Sequence, residues 1–181
     1  MREIALHVMD ITENGITAGS DLIQILIDEN RIENLIKVVI KDYGKGMSPE
    51  FLRTATDPFV TTRTTRRIGL GLSLWKEAAK RCGGDFSIES EPGKGTVVTA
   101  TFRYDNIDRA PIGDIAGTIT ILMAGNPHID FVYDHVIDGK RFTIDTRELR
   151  GDFEDSLTDP ALLFHLKKHI EQELKKLAGN E

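Results

Sequence analysis

The chain of 181 residues, with 40% hydrophobic and 29% charged side chains, is long enough for one globular domain with an extension. Its formal net charge of −6 argues against nucleic-acid binding, because neutralising phosphates requires a basic face. One cysteine, Cys82, excludes an internal disulfide, and no apolar run reaches the roughly 18 residues of a membrane span, so we expect a cytoplasmic protein without membrane contact.

The first predicted elements are a helix and two strands. Residues 2–18 carry apolar or small side chains at helical spacing. We interpret the polar stripe of this helix as mainly its solvated face, and it contains His7, Asp10, Asn14 and Thr17. The runs LIQILID and LIKVVIKD predict strands joined by a polar turn, and Ser48 with Pro49 predicts the start of a short helix.

The next segment, DPFVTTRTTRRIGLG, has no apolar period and is predicted to be a loop. A helix is predicted from Leu70 to Cys82, ended by two glycines. The runs DFSIESE and TVVTATFRY predict a hairpin around PGKG. These elements complete a first predicted domain, residues 1–105, with an α/β layer pattern.

The second predicted domain, residues 106–181, begins with a turn-like linker. The runs GTITILMAG, IDFVYDHV and RFTIDTREL predict three strands, the last two joined through Asp138 and Gly139. From Pro160 onward the pattern predicts an amphipathic helix, with one apolar stripe formed by Leu162, Leu166, Ile170 and Leu174. The pattern of this block assigns it no function.

The stretch DYGKGM is the first that indicates chemistry. It follows a predicted strand and places Asp42 ahead of Gly44 and Gly46. An ordinary tight turn would explain this composition. Alternatively, a backbone without side chains approaches a purine ring, whose exocyclic amino group donates a hydrogen bond to the carboxylate.

A second group lies where Gly69 and Gly71 open a predicted helix. The free N–H groups of a helix start, together with the helix dipole, attract anions. The glycines either ease a loop into a helix or bring this backbone to a phosphate. The cations directly before them favour the phosphate site, and these are Arg63, Arg66 and Arg67.

A third group lies on the first helix. Asn14 offers a neutral amide oxygen, which is a hard ligand suited to Mg²⁺. Asp10, one turn earlier, could take a proton from an attacking hydroxyl or water. A merely solvated helix face is the alternative for both.

Taken in chain order, these motifs resemble the ATP-binding domain of the GHKL superfamily, which contains gyrase, heat-shock chaperones, histidine kinases and MutL. DITENGITAGS is similar to the N box, and DYGKGM to the first glycine box. DPFVTTR is similar to the phenylalanine box, and GLGLS to the second glycine box. GKGTVVTATF is similar to the last motif, so that the resemblance covers residues 4–103.

The resemblance implies a site for ATP and Mg²⁺. Asp42 would bind the adenine amino group with support from Thr96, and Asn14 would coordinate Mg²⁺. Asp10 stands where the family has its general base, which is usually a glutamate. The other ATP-binding positions that the resemblance implies are Gly44, Gly46, Phe59, Thr61, Thr62, Arg63, Arg67, Gly69 and Gly71.

The resemblance also implies an α+β fold. We expect a two-layer α/β sandwich with a mixed sheet, of the Bergerat type, followed by a smaller C-terminal block of strands and a helix. The loop between Phe59 and Gly69 would close over ATP, and its shortness is typical of histidine kinases and anti-sigma kinases. Only six residues precede His7, which leaves no room for the usual phosphoacceptor domain. We therefore expect a phosphoacceptor on a partner protein.

Three functions remain open at this point. The first is a stand-alone protein kinase that transfers the γ-phosphate of ATP to a histidine or serine of a partner. The second is an ATP-gated switch or slow ATPase, whose second block could form a homodimer or hold a client and whose Lys140 could reach the γ-phosphate. The third is a nucleotide-binding module without turnover.

Overall fold

The computed structural model describes residues 3–56, 70–152 and 159–179, in which six strands form one mixed sheet. The helices are α1 (Ile4–Thr17), α2 (Pro49–Thr54), α3 (Leu70–Arg81), α4 (Ile115–Gly125), α5 (Thr146–Asp152) and α6 (Pro160–Ala178). The strands are β1 (Leu22–Asn30), β2 (Leu35–Asp42), β3 (Phe86–Glu91), β4 (Gly95–Arg103), β5 (Asp130–Ile137) and β6 (Lys140–Asp145). Their order in the sheet is β3-β4-β2-β1-β5-β6, with β1 and β5 parallel and the other neighbours antiparallel.

One face of the sheet forms the core. In β1 the alternate residues Ile23, Ile25 and Ile27 are at most 2% exposed, which is the period expected for a strand with one covered face. Helices α3, α1, α4 and α6 lie side by side and cover this face from β3 to β6. The predicted α+β fold, a two-layer sandwich with a mixed sheet, is confirmed.

The strand predicted over GTITILMAG is wrong, because these residues form most of α4. Thr118, Ile119 and Thr120 are β-branched and favour a strand, and a short apolar run has no period that separates a buried helix from a buried strand. The helix is buried almost all round, between α1 and α6. Its start is capped by Asp114, whose carboxylate accepts the Gly117 N–H at 2.9 Å. Capping and packing therefore override the local preference.

The hairpin of β5 and β6 has the predicted turn but a shorter second strand. Asp138 and Gly139 have φ values of 48° and 84°, as a two-residue turn with left-handed residues requires. The strand predicted over RFTIDTREL ends at Asp145, after which the chain forms α5. The Asp145 carboxylate accepts the Arg147 N–H at 2.9 Å, and this local hydrogen bond turns the chain into the helix.

The second block extends the sheet of the first through the parallel pair β1 and β5. A buried polar network crosses this junction: His135 Nε2 lies 2.8 Å from Glu29 Oε1, and His135 Nδ1 lies 2.6 Å from the Tyr133 hydroxyl. An ionised carboxylate only accepts, so Nε2 donates to it, and a neutral imidazole then accepts the Tyr133 hydroxyl at Nδ1. Burial raises the pKa of Tyr133, which keeps this hydroxyl protonated. The predicted boundary between residues 105 and 106 stays a prediction.

The C-terminal helix α6 is amphipathic, as predicted. Leu166 and Ile170 are buried, and Leu174 packs against the same core. Lys167 Nζ donates to the Asp114 carboxylate at 2.7 Å, which ties α6 to the start of α4. Across the described ranges, no helix combines the length and the apolarity that crossing a membrane requires.

Candidate functional site

The turn DYGKGM begins at Asp42, the last residue of β2, which is 8% exposed. Its Oδ1 accepts the Gly44 N–H at 2.9 Å, and the backbone N–H of Thr96 on β4 lies near the carboxylate. Burial raises the pKa of Asp42, while the backbone N–H groups of Gly44 and Thr96 oppose the rise because they favour the charged form. Thr96 thus lies beside Asp42, opposite it in the register of β2 and β4.

Helix α1 packs directly against this turn. A Cβ added to Gly15 would lie 2.8 Å from the Asp42 Cβ, and one added to Gly44 would lie 2.8 Å from the carbonyl oxygen of Ala18. The Lys45 N–H donates to that same carbonyl at 2.9 Å. Since α1 carries the N-box residues, the structure brings the N box and the first glycine box together.

Packing within the protein explains why a glycine stands at position 46. Its φ is 64°, and a Cβ there would collide with the backbone carbonyl of Glu91 at the end of β3. The two turns are joined where the Gly93 N–H donates to the Lys45 carbonyl at 2.8 Å. The glycine therefore permits a close contact between backbones inside the protein, in addition to any contact with a ligand.

Asp10 lies against the start of α3. A Cβ added to Gly71, in the first turn of this helix, would lie 3.5 Å from Asp10 Oδ2. The carboxyl group is half-buried, and burial raises its pKa. Asn14 follows one turn later on α1, also half-buried. Within the part of the chain that the structure describes, neither side chain has a hydrogen-bond or ion-pair partner.

The site residues so placed form a continuous region along α1, from the start of α3 to the end of β2. It contains Asp10, Asn14, Asp42, Gly44, Gly46, Gly71 and Thr96. The other predicted positions lie outside the described residues, and these are Phe59, Thr61, Thr62, Arg63, Arg67 and Gly69.

Lys140 lies at the far end of the sheet from Asp42. Asp42 pairs with Ile23, near the start of β1. Lys140 pairs with Ile137 on β5, and Ile137 in turn pairs with Glu29, near the end of β1. Six residues along a strand span roughly 20 Å. Within one chain, Lys140 therefore does not reach a nucleotide bound at Asp42.

The interpretation of His7 as part of the solvated face of α1 is wrong. His7 is 2% exposed and stacks on Trp75 of α3, with ring centroids 5.8 Å apart and an interplanar angle of 7°. Among the described residues, neither His7 Nδ1 nor Trp75 Nε1 has a hydrogen-bond partner. Burial lowers the pKa of His7 to about 4, so the imidazole is neutral at physiological pH. Its spacing from Ile4 and Ile11, both in the core, is the signal that pointed to burial.

Acidification is expected to destabilise the protein through His7. The pKa is about 4 in the folded chain and 6.5 ordinarily, so the unfolded chain binds the additional proton as pH falls from 6.5 through 4. At pH 5 the expected loss of unfolding free energy is about 2 kcal/mol. Denaturant titrations at several pH values measure it. His7→Phe keeps a ring against Trp75 but cannot titrate, and an equal loss in both proteins would contradict the assignment.

Residues 2–106 match the model of a protein family described as "Histidine kinase-, DNA gyrase B-, and HSP90-like ATPase". The tetrathionate sensor histidine kinase TtrS of Salmonella typhimurium is 35% identical over 101 residues, which is 54% of this chain and 17% of that protein. The sensor protein SrrB of Staphylococcus aureus is 39% identical over 101 residues, or 53% of this chain and 17% of that protein. The chain thus spans about a sixth of these relatives' length.

Two solved structures have a similar fold over most of the chain. The N-terminal domain of a DNA repair protein gives a TM-score of 0.59 at 15% identity and covers 87% of this chain and 58% of its own. The Aquifex aeolicus MutL ATPase domain complexed with ADP gives 0.50 at 16% identity and covers 80% and 63%. At these identities the likeness concerns the fold alone.

The matched range begins before α1 and ends just after β4. It therefore includes the helix with Asp10 and Asn14, the turn at Asp42 and the strand with Thr96. Because this range is more than half of the chain, the chain belongs to the family of histidine kinase-, DNA gyrase B- and HSP90-like ATPases.

Proposed function

We propose that this chain binds Mg-ATP and transfers the γ-phosphate to a histidine or serine side chain of a separate protein. Membership of the ATPase family supports the nucleotide, and the similarity to two sensor proteins, one of them a histidine kinase, supports transfer to a protein. The observation that carries the proposal is the half-buried carboxylate of Asp10 beside the first turn of α3, which has no hydrogen-bond or ion-pair partner among the described residues. A base is needed there if phosphates lie at this helix start.

Asp42 would hold the adenine. An ionised carboxylate has about four acceptor positions, and one of them receives the N–H group of Gly44. The positions left over suit the exocyclic amino group of adenine. The close packing of Gly44 against Ala18 and of Gly15 against Asp42 fixes the orientation of the carboxylate before any ligand arrives.

Asn14 would hold the metal ion. The donor fits Mg²⁺, since an amide oxygen is a hard ligand and the Asn14 side chain has no partner among the described residues. Bound there, Mg²⁺ supplies neutralisation of the phosphate charge. No described group of three His, Cys, Asp or Glu side chains could hold a metal alone, so phosphate and water oxygens would complete the shell.

Asp10 would act as the base. As the acceptor forms its bond to the γ-phosphorus, Asp10 takes the proton that the attacking group loses. The bond between that phosphorus and the bridging oxygen breaks, and its electron pair leaves with ADP. The pKa of Asp10 is raised by burial, which makes this carboxylate a better proton acceptor than an exposed aspartate.

Labelled ATP tests this proposal directly. We expect the chain with Mg-ATP to label one protein in an extract of its native cells, and Asp10→Asn to lower the rate about 10²- to 10⁴-fold. Glu13→Gln removes the same charge from an exposed position of α1 and should leave labelling unchanged. An extract in which no protein becomes labelled would contradict the kinase assignment.

A slow ATPase that drives a conformational change is the second candidate. The Ile4 and Ala5 N–H groups at the start of α1 donate to the Pro111 and Ile112 carbonyls, at 2.9 and 2.8 Å, just before α4. A shift of α1 on nucleotide binding would therefore move the second block. Free phosphate without labelled protein, abolished by Asp10→Asn, is the result that would favour this candidate over the kinase.

A further inference from the structure

Two exposed histidines stand one helical turn apart on α6. The spacing of four residues between His165 and His169 places both side chains on one face of the helix, with Cβ atoms about 5–6 Å apart. Leu166 and Ile170, which directly follow them, are buried in the core. Within the described ranges, neither imidazole has a hydrogen-bond or ion-pair partner. The pair therefore presents ring nitrogens to solvent from a helix whose other side is packed.

The helix that carries the pair is held in place by contacts with the rest of the second block. Its Lys167 is joined to Asp114, at the start of α4, by the hydrogen bond of 2.7 Å. The ring of His169 packs against Phe142 of β6, with centroids 5.7 Å apart and an interplanar angle of 71°. A ligand that bridges the two imidazoles therefore costs the protein little additional conformational freedom.

We propose that His165 and His169 form a binding site for a transition-metal ion of the class of Zn²⁺, Ni²⁺ and Cu²⁺. Imidazole nitrogen is a preferred ligand of these ions, at about 2.0–2.1 Å for Zn²⁺. Two histidines four residues apart on a helix reach one ion, which is the spacing of the paired zinc ligands in His-Glu-x-x-His helices. Among the described residues no group of three His, Cys, Asp or Glu side chains could hold a metal, so water would complete the coordination shell.

The charged neighbours leave the two imidazoles available. Lys168 stands between them in the chain, but its ammonium group lies over the Phe164 ring, 5.1 Å from the centroid. Glu173, one turn beyond His169, already accepts a hydrogen bond from Lys176 at 2.6 Å. This carboxylate is therefore engaged, and the two histidines are the ligands that the helix offers.

Calorimetric titration of the whole chain with Zn²⁺, without nucleotide and at mildly alkaline pH, tests the site. His165→Gln and His169→Gln are each expected to weaken binding at least about tenfold, because the second ligand of a pair on one helix acts at a high effective concentration. His128→Gln is the matched control, since it removes an exposed histidine outside α6, between α4 and β5, and it should bind Zn²⁺ as the wild type does.

Electron paramagnetic resonance of the Cu²⁺ complex counts the nitrogen ligands, and two imidazole nitrogens are expected. Unchanged Zn²⁺ affinity in His165→Gln and His169→Gln would overturn the proposal, and so would an equal loss in His128→Gln. A Cu²⁺ spectrum with one nitrogen ligand would overturn it too. The site lies beside β6, with β5 and β1 between it and the strand of Asp42, and the titration contains no nucleotide, so its result is independent of the proposed function.

Discussion

Asp42→Asn is expected to lower the affinity for Mg-ATP at least about 100-fold. The buried carboxylate already accepts the backbone N–H of Gly44, with the N–H of Thr96 nearby, and only its further lone pairs are open to a ligand. An amide has one oxygen, and its NH₂ group would face either a backbone N–H or the amino group of adenine. In either case two hydrogen-bond donors would face each other in a buried position, with no acceptor for either. Calorimetric titration with Mg-ATP measures the loss.

Asp21→Asn is the matched control for this change. Asp21 is exposed and lies just before β1, at the end of the sheet where Asp42 lies. Its conversion to an amide should leave the affinity unchanged. Because a buried donor without an acceptor costs about 1–3 kcal/mol, circular dichroism must first show that Asp42→Asn is folded. A folded Asp42→Asn protein with normal affinity would place the adenine elsewhere.

Local chemistry was enough to predict the elements whose burial follows a simple period. β1 alternates because one face of the sheet is covered, and its isoleucines show that period in the sequence. The short helix α2 was equally predictable, since the Ser48 hydroxyl accepts the Phe51 N–H at 3.2 Å. The turn at Asp138 and Gly139 depends on two left-handed residues, which these residue types allow.

Long-range packing decided the parts that the sequence could not predict. α4 has helices on both flanks and is apolar even at its exposed position Ile121, so its sequence carries no polar stripe that would reveal a helical period. The neutral, buried state of His7 depends on Trp75, which is far away in the chain. The network of Glu29, His135 and Tyr133 requires the parallel pairing of β1 with β5, which no local pattern indicates.

The candidate site was predictable as a set of positions but not as a set of contacts. Asp42, Gly44 and Gly46 stand in one motif, and their order along the chain identified them. The sequence gives no sign that Gly46 touches the carbonyl of Glu91, because that contact joins two turns separated by α2 and α3. The sequence allows the glycines to form an ordinary tight turn or to make room for a ligand, whereas the structure adds a contact between two backbones at Gly46.

Gly46→Ala is expected to lower the unfolding free energy by about 3–5 kcal/mol in the absence of nucleotide. Its φ of 64° disfavours a side chain, and the new Cβ would also collide with the Glu91 carbonyl. Gly93→Ala is the matched control in the facing turn. Its φ is 75°, but a Cβ added there would meet no atom within 4 Å. The alanine should therefore lower the unfolding free energy only by the backbone strain, about 1–2 kcal/mol. Equilibrium denaturation of both variants measures the difference.

The comparison of these two alanine variants separates two explanations of the turn. Where two backbones are in contact, the residue at the contact must lack a side chain, whether or not a nucleotide is bound nearby. A larger loss for Gly46→Ala than for Gly93→Ala, measured without nucleotide, therefore assigns Gly46 to the fold. Equal losses of stability, together with weaker ATP binding in Gly46→Ala alone, would instead assign the glycine to the nucleotide and contradict the packing explanation.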